Sequence, residues 1–282
     1  MAEDRYIAGV PCWVDCAQPD PEAAKAFYGG LFGWTFEERG PGYHVASLPS
    51  GDVGAIGTPG EVSGPPAWTT YVWVADADET VAKVRAAGGG VLNEPMDVGP
   101  AGRTAAVADR AGATFRVWQA GTNRGATAVN EPGSVNFNTL HTRDLHGAAG
   151  FYDAVFGWEL LQDMFWGLAP YGDFLERRTP GLRDRMAQMG APERFEDTVA
   201  AVERLADDDT QPYWGVTFAV ADADATAARA AELGGTVTVA PFDAPWVRMT
   251  VITDPQGASL VAGQFVPPET ADAGQAAGSS AA

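Results

Sequence analysis

Histidine and cysteine are scarce here: three of the one and two of the other in 282 residues. That scarcity excludes a His/Cys-rich metal cluster, and neither a Ser/His/Asp nor a Cys/His set stands at a recognisable spacing. The two cysteines, Cys12 and Cys16, fall in one extended segment. Four strand positions separate their Cα atoms by about 13 Å, beyond the roughly 7 Å that a disulfide tolerates. Buried free thiols are therefore expected, as suits a reducing compartment. Basic residues are also few, 18 against 37 acidic, for a formal charge of −19. Phosphate and anionic lipid need clustered Lys and Arg, so nucleic acid and membrane surfaces are poor partners. Such a charge suits a cationic ligand or serves general solubility. No apolar run approaches the roughly 20 residues that span a bilayer. Met1-Ala2-Glu3-Asp4-Arg5 lacks the basic-then-apolar pattern of a signal peptide, so the expected location is cytoplasmic.

What the chain does have, it has twice. Phe27-Tyr28-Gly29-Gly30-Leu31-Phe32-Gly33-Trp34 returns 124 residues later as Phe151-Tyr152-Asp153-Ala154-Val155-Phe156-Gly157-Trp158. Val74-Ala75-Asp76-Ala77-Asp78 returns 146 residues later as Val220-Ala221-Asp222-Ala223-Asp224. Two homologous modules follow, the second longer by about 22 residues. The expected layout is an unstructured start at 1–7, a first module at 8–120, a linker at 121–133, a second module at 134–265 and an unstructured tail at 266–282. The extra length is placed at about 177–209 as two short helices, either a lid or a plain surface insertion.

Within the first module, Val10 to Cys16 reads as a strand. Asp20 is a candidate N-cap, with Pro21 at the first helical turn. Glu22 to Leu31 has helical spacing, Tyr43 to Leu48 and Val53 to Ile56 read as a hairpin, and Trp68 to Val74 is a strand. A helix then ends at Gly88-Gly89-Gly90, which follows a helix and so is no phosphate loop. Arg103 to Ala108 and Thr114 to Trp118 form a hairpin around Asp109-Arg110-Ala111-Gly112, matched later by Asp254-Pro255-Gln256-Gly257.

Strand alternation sorts the side chains. Val10, Cys12, Val14 and Cys16 share a face with Val72 and Val74, an aliphatic surface suited to packing under helices. The opposite face carries Trp13, Asp15, Thr69, Tyr71, Trp73, Arg116 and Trp118. So many aromatic rings on an open sheet face imply either a ligand cavity or a surface buried between the modules. Asp15 beside Trp13 is a weak candidate for a general base or an amine partner. Arg103 and Arg248 each lie six residues before a turn aspartate. They are read as holding a ligand oxygen or pairing with the neighbouring module's acids.

The strand, then Asp20-Pro21-Glu22-Ala23-Ala24-Lys25-Ala26-Phe27-Tyr28, then Leu31-Phe32-Gly33-Trp34 and a later Asp-Pro-x-Gly turn together resemble the vicinal oxygen chelate superfamily. That superfamily includes glyoxalase I, extradiol dioxygenases and fosfomycin- and bleomycin-resistance proteins. The likeness extends over 8–120 and 134–265 and is nearest to two-module actinobacterial proteins of the glyoxalase-like or hydroxylase type, including accessory proteins of anthracycline tailoring. It implies an α+β fold: two tandem βαβββ-repeat modules forming curved mixed sheets around a cavity, with helices on the outer face. Metal-dependent members place His, Gln or Glu in the first, third and last strands. The matching positions here are Trp13 and Phe137, Thr69 and Gly215, and Arg116 and Val261. None is a competent ligand. His44, His141 and His146 are read as structural or solvated, with His141 on the face of Phe137 at the strand end.

The expected function is thus a cytoplasmic protein with no metal and no cofactor that binds an aromatic, antibiotic-like and possibly cationic small molecule. Its service would be sequestration, resistance or assistance to a biosynthetic enzyme. Trp13, Asp15, Thr69, Tyr71, Trp73, Arg116, Trp118, Phe137, Thr139 and Thr217 are the expected ligand contacts, and a partner enzyme or a homodimer is the expected assembly. The alternative is a glyoxalase- or dioxygenase-like enzyme, a metal-dependent lyase or oxygenase or a cofactor-free hydroxylase.

Overall fold

Four aspartates set the frame. Asp20, Asp76, Asp144 and Asp222 each accept a hydrogen bond from the backbone N–H three residues on (Ala23, Glu79, Gly147 and Ala225, at 2.8–3.0 Å). Each opens one helix by satisfying an orphan N–H. The repeated Val-Ala-Asp-Ala-Asp is therefore a capping signal. In the computed structural model, which describes residues 5–58, 65–207 and 210–267, those helices divide the chain into four βαβββ units, two in each half.

The first half runs β1 (Pro11–Ala17), α1 (Pro21–Phe32), β2 (Thr35–Glu38), β3 (Tyr43–Leu48), β4 (Gly51–Gly57), β5 (Trp68–Trp73), α2 (Ala77–Ala86), β6 (Gly90–Val98), β7 (Gly102–Ala108) and β8 (Thr114–Ala120). These strands make one eight-stranded sheet in the order β2-β3-β4-β1-β5-β8-β7-β6. The second half runs β9 (Val135–Thr142), α3 (Leu145–Phe156), β10 (Glu159–Leu161), β11 (Phe165–Gly167), α4 (Ala169–Arg178), α5 (Leu182–Gln188), β12 (Thr198–Arg204), β13 (Tyr213–Ala219), α6 (Ala223–Glu232), β14 (Thr236–Ala244), β15 (Val247–Thr253) and β16 (Ser259–Phe265). Its sheet has the equivalent order β10-β11-β12-β9-β13-β16-β15-β14. The α+β class with two tandem modules is as expected. The sheets are mixed, since β1 is parallel to β4 but antiparallel to β5.

The expected helical insertion begins earlier, at α4, and ends earlier. Val199 and Val202, inside the stretch expected to form two short helices, lie in β12, which pairs with β9 and buries Ala200 and Val202. Of the expected unstructured ends, residues 1–4 and 268–282 lie outside the described residues. Tyr6 is buried, stacks on Trp73 at 6.0 Å and donates its hydroxyl to Ala126 O at 2.8 Å.

The two sheets meet through their helix-bearing faces. One core joins Val14, Phe27, Tyr28 and Trp34 of the first half to Phe218, Ala223, Ile252 and Leu260 of the second. The other joins Val72, Val81, Val107 and Phe115 to Leu140, Phe151, Tyr152 and Trp158. Close approach there needs glycine. A Cβ on Gly89 would stand 2.7 Å from Phe151 Cε2, and one on Gly235 would stand 2.9 Å from Phe27 Cε2. The repeated motif accounts for the seam: Trp34 Nε1 donates to Gly133 O at 2.7 Å, and Trp158 Nε1 donates to Gly9 O at 2.8 Å. The faces carrying Trp13 and Phe137 consequently point away from the seam.

Candidate functional site

Strand register assembles the predicted residues. On the first sheet Trp13 pairs with Tyr71, Asp15 with Thr69, Tyr71 with Arg116, and Trp73 with Trp118, so all seven share the open face. Phe137 pairs with Thr217, and Thr139 lies two positions along β9, on the open face of the other sheet. The ten expected ligand residues thus divide between two separate faces.

The first face is filled by its own side chains. Tyr71 and Tyr43 donate their hydroxyls to Asp15 Oδ2 at 2.6 and 3.1 Å, and Trp13 Nε1 donates to Tyr43 at 2.9 Å. Trp118 packs edge-on to Tyr71 at 6.3 Å and donates its N–H to Asn123 O at 3.0 Å. The Arg116 guanidinium lies 5.9 Å from the Tyr71 ring centre. Trp13, Tyr71, Trp73 and Trp118 are each no more than 8% exposed. Burial raises the Asp15 carboxyl above its usual range, against the opposing pull of the Tyr71 hydroxyl, Arg116 and the Tyr43 hydroxyl. Tyr43 was absent from the expected set, although its alternation with Val45 along β3 placed it on this face.

The second face inverts these sizes. Where the first has Asp15, Thr69, Tyr71, Trp73, Arg116 and Trp118, the second has Thr139, Gly215, Thr217, Ala219, Val261 and Gly263. Around this small-residue floor stand half-buried Phe137, Phe165 and Phe195, with ring centres 5.3–6.4 Å apart. Phe195 comes from the insertion, at a turn held by Arg194, which donates to Asp197 at 2.9 Å and to Glu159 at 2.7 Å. At the floor's other end His141 stacks on Tyr213 at 4.4 Å, with its Nδ1 3.5 Å from Glu203 Oε2. Burial lowers the His141 pKa and the Glu203 carboxylate opposes that shift, leaving it below the ordinary imidazole value.

The metal positions implied by the resemblance do not fit an ion. An indole, a hydroxyl and a guanidinium occupy one set, and a phenyl, a glycine and an isopropyl group the other. Among the described residues, no three His, Cys, Asp or Glu side chains converge on a common point. Arg103 and Arg248 do not reach the neighbouring module. Arg103 pairs with Asp78 and Asp97, and Arg248 with Asp224 and Asp243, all within their own halves. Cys12 and Cys16 are free and buried, and burial pushes both thiol pKa values up.

Residues 13–117 match the model of the Glyoxalase/Bleomycin resistance protein/Dioxygenase superfamily, and residues 135–261 match that of a Glyoxalase-like domain. The chain is 38% identical to the "Putative glyoxylase CFP32" of Mycobacterium tuberculosis, over 90% of this chain and 94% of that protein. It is 37% identical to the "Anthracycline biosynthesis protein DnrV" of Streptomyces peucetius, over 91% and 93%. In fold it is similar to the Mn(II)-bound glyoxalase from Novosphingobium aromaticivorans, with a TM-score of 0.59 at 16% identity over 92% of this chain and 83% of that one.

Proposed function

This chain belongs to the glyoxalase/bleomycin resistance protein/dioxygenase superfamily, and from that premise we propose that it binds a planar, fused-ring aromatic small molecule on the open face of its second sheet. The observation that carries this reading is the inversion of side-chain size between equivalent positions. A fold that fills one face with indole and phenol rings has left the other floored by Thr, Ala and Gly and walled by three Phe. Rings of that kind stack on a planar ligand, while Thr139, Thr217 and His141 offer the few polar contacts that orient one. The name of the Streptomyces relative supports an aromatic product or intermediate of antibiotic biosynthesis as the ligand class. The formal charge of −19 favours one that carries an amine. Binding requires no metal, because the positions that would hold one have no donor. The service is to hold or protect that molecule in the cytoplasm for a biosynthetic enzyme, and the free thiols fit such a compartment.

Catalysis at Asp15 is the less favoured reading. That carboxylate is enclosed by Trp13, Tyr43 and Tyr71, so substrate would have to displace a packed aromatic layer. The test is titration with alizarin and other hydroxylated anthraquinones, following tryptophan fluorescence with and without EDTA. Saturable quenching that EDTA leaves unchanged supports the reading. No response, or one that EDTA abolishes, overturns it.

A further inference from the structure

Three residues on adjacent strands of the second face line up by register: Glu203 of β12, His141 of β9 and Tyr213 of β13. The row stands at one end of the small-residue floor, with Thr139 about 7 Å away along β9, one pleat repeat. The Glu203 carboxylate stands 3.5 Å from Nδ1, on the side of the ring away from Nε2. On its other side the ring packs close over Gly215. A Cβ there would lie 3.1 Å from His141 Nε2. That Cβ would project onto the open face, so Nε2 borders the space above the floor. The first sheet has no counterpart: His141 is replaced by Ala17, and Gly215 by Thr69.

We infer that His141, positioned by Glu203, is an acid–base catalytic residue that moves a proton on a fused-ring aryl ketone bound to the second face. This rests on the ligand site proposed above and adds a reaction to it. In the step, the Cα–H bond next to the carbonyl breaks. Its proton goes to Nε2 and its electron pair forms the enolate, with negative charge on the carbonyl oxygen. The proton on Nε2 then exchanges with solvent and a solvent-derived one is returned to carbon, which is exchange, or Nε2 delivers it to another atom, which is isomerisation. Nothing is oxidised or reduced and no co-reactant is consumed. Both Glu203 and Tyr213 face the ring from the flanking strands, and the charge of Asp207 is felt at Tyr213. Glu203 is a positioning residue, because of these two only His141 would touch the ligand.

The experiment uses the full chain and 1-tetralone in deuterated buffer. Proton NMR follows loss of the signal next to the carbonyl, and saturation transfer reports binding. Wild type is expected to accelerate exchange, and His141→Asn to slow it by about 100-fold or more while binding persists. Glu203→Gln should retain part of the activity and move the midpoint of the pH–rate profile to lower pH, because the carboxylate that holds the imidazole pKa up is gone. Should His141→Asn not fold, the histidine ring ¹⁵N spectrum of wild type decides. A neutral ring protonated at Nδ1, whose Nε2 signal moves on adding 1-tetralone, supports the inference. The opposite tautomer, or no movement, overturns it. Binding without accelerated exchange, or undiminished exchange in His141→Asn, overturns the catalytic role and leaves the ligand site standing. Absence of binding to wild type overturns both.

Discussion

Tyr28 in the first half donates its hydroxyl to Asp254 in the second across 2.8 Å, and the relationship is returned: Tyr152 donates to Asp109 at 3.1 Å. Each aspartate uses its other oxygen to accept two N–H groups of its own turn: Gln256 and Ala258 for Asp254, and Ala111 and Ala113 for Asp109. Trp68 and Trp214 donate their N–H groups to the same two tyrosines. The most repeated motifs of the sequence, the Phe-Tyr helix and the aspartate turn, are thus halves of one interlock between the sheets. Tyr28→Phe removes a buried donor to a carboxylate, and a cost of about 1.5–3 kcal/mol is expected. Urea unfolding would check it, and a change below about 0.5 kcal/mol would mean that Asp254 is satisfied without Tyr28.

The interlock is not symmetric. Gln256 uses its side chain to accept from Asp20 N and donate to Asp20 O, both at 2.8 Å, and Gln18 donates to Asp254 at 2.6 Å. Their counterparts in the other half are Ala111 and Thr142. The Thr142 hydroxyl is buried without a partner, and a small cleft lies between Asp109, Ala111 and Asp144. Ala111→Gln should fill it and reproduce the Gln256 contacts on Asp144, with a gain of about 1 kcal/mol. A lowered melting temperature would show that the cleft cannot take the side chain.

Much of this was legible in the residues. The repeat, the N-caps and the two faces of each strand follow from period and cap chemistry, because each is fixed by neighbours within a few positions. What escaped is set by register across strands. His141 lies more than 60 residues of chain from Glu203 and Tyr213 and meets them only because β12, β9 and β13 are adjacent. Two βαβ-like units in each module were legible too, whereas the full βαβββ path of β5–β8 was not, because it repeats the path of β1–β4 without repeating its side chains. The seam contacts of the repeated tyrosines and glycines needed both sheets in place before they could be read.

The thiols offer an inexpensive check on packing. Cys12 and Cys16 are at most 2% exposed, and burial pushes both pKa values up, so thiolate is scarce and inaccessible. Labelling by a disulfide reagent at pH 8 should proceed no faster than unfolding and should accelerate in step with urea. Rapid reaction of the native protein would contradict the burial of β1.

Asp15 makes a signed prediction about pH. Its folded pKa is raised above the unfolded value of about 3.9, chiefly by burial, so in the window just above that value the folded state holds more proton than the unfolded one. Stability from this group is complete below the unfolded pKa and is lost as pH rises through the folded one. Asp15→Asn keeps an acceptor for Tyr43 and Tyr71 and abolishes the titration. Between pH 4 and the folded pKa the variant should therefore show a flatter stability curve than wild type. Parallel curves would mean that Arg116 compensates the buried charge fully.

The size inversion gives the sharpest test of which face works. Thr217→Tyr places in the second sheet the side chain that Tyr71 places in the first, over the floor beside Phe137. Thr217 is only 9% exposed, so the added ring must find room among the side chains around the floor, and an unchanged melting temperature is required before the binding result is read. Anthraquinone binding should fall at least tenfold. Tyr71→Thr opens the first face instead: it removes a donor from Asp15 and the ring under Arg116, so it should cost stability while leaving binding unchanged. If Tyr71→Thr abolished binding and Thr217→Tyr did not, the ligand would belong to the Trp-lined face, and the packed aromatic layer there would have to open to admit it.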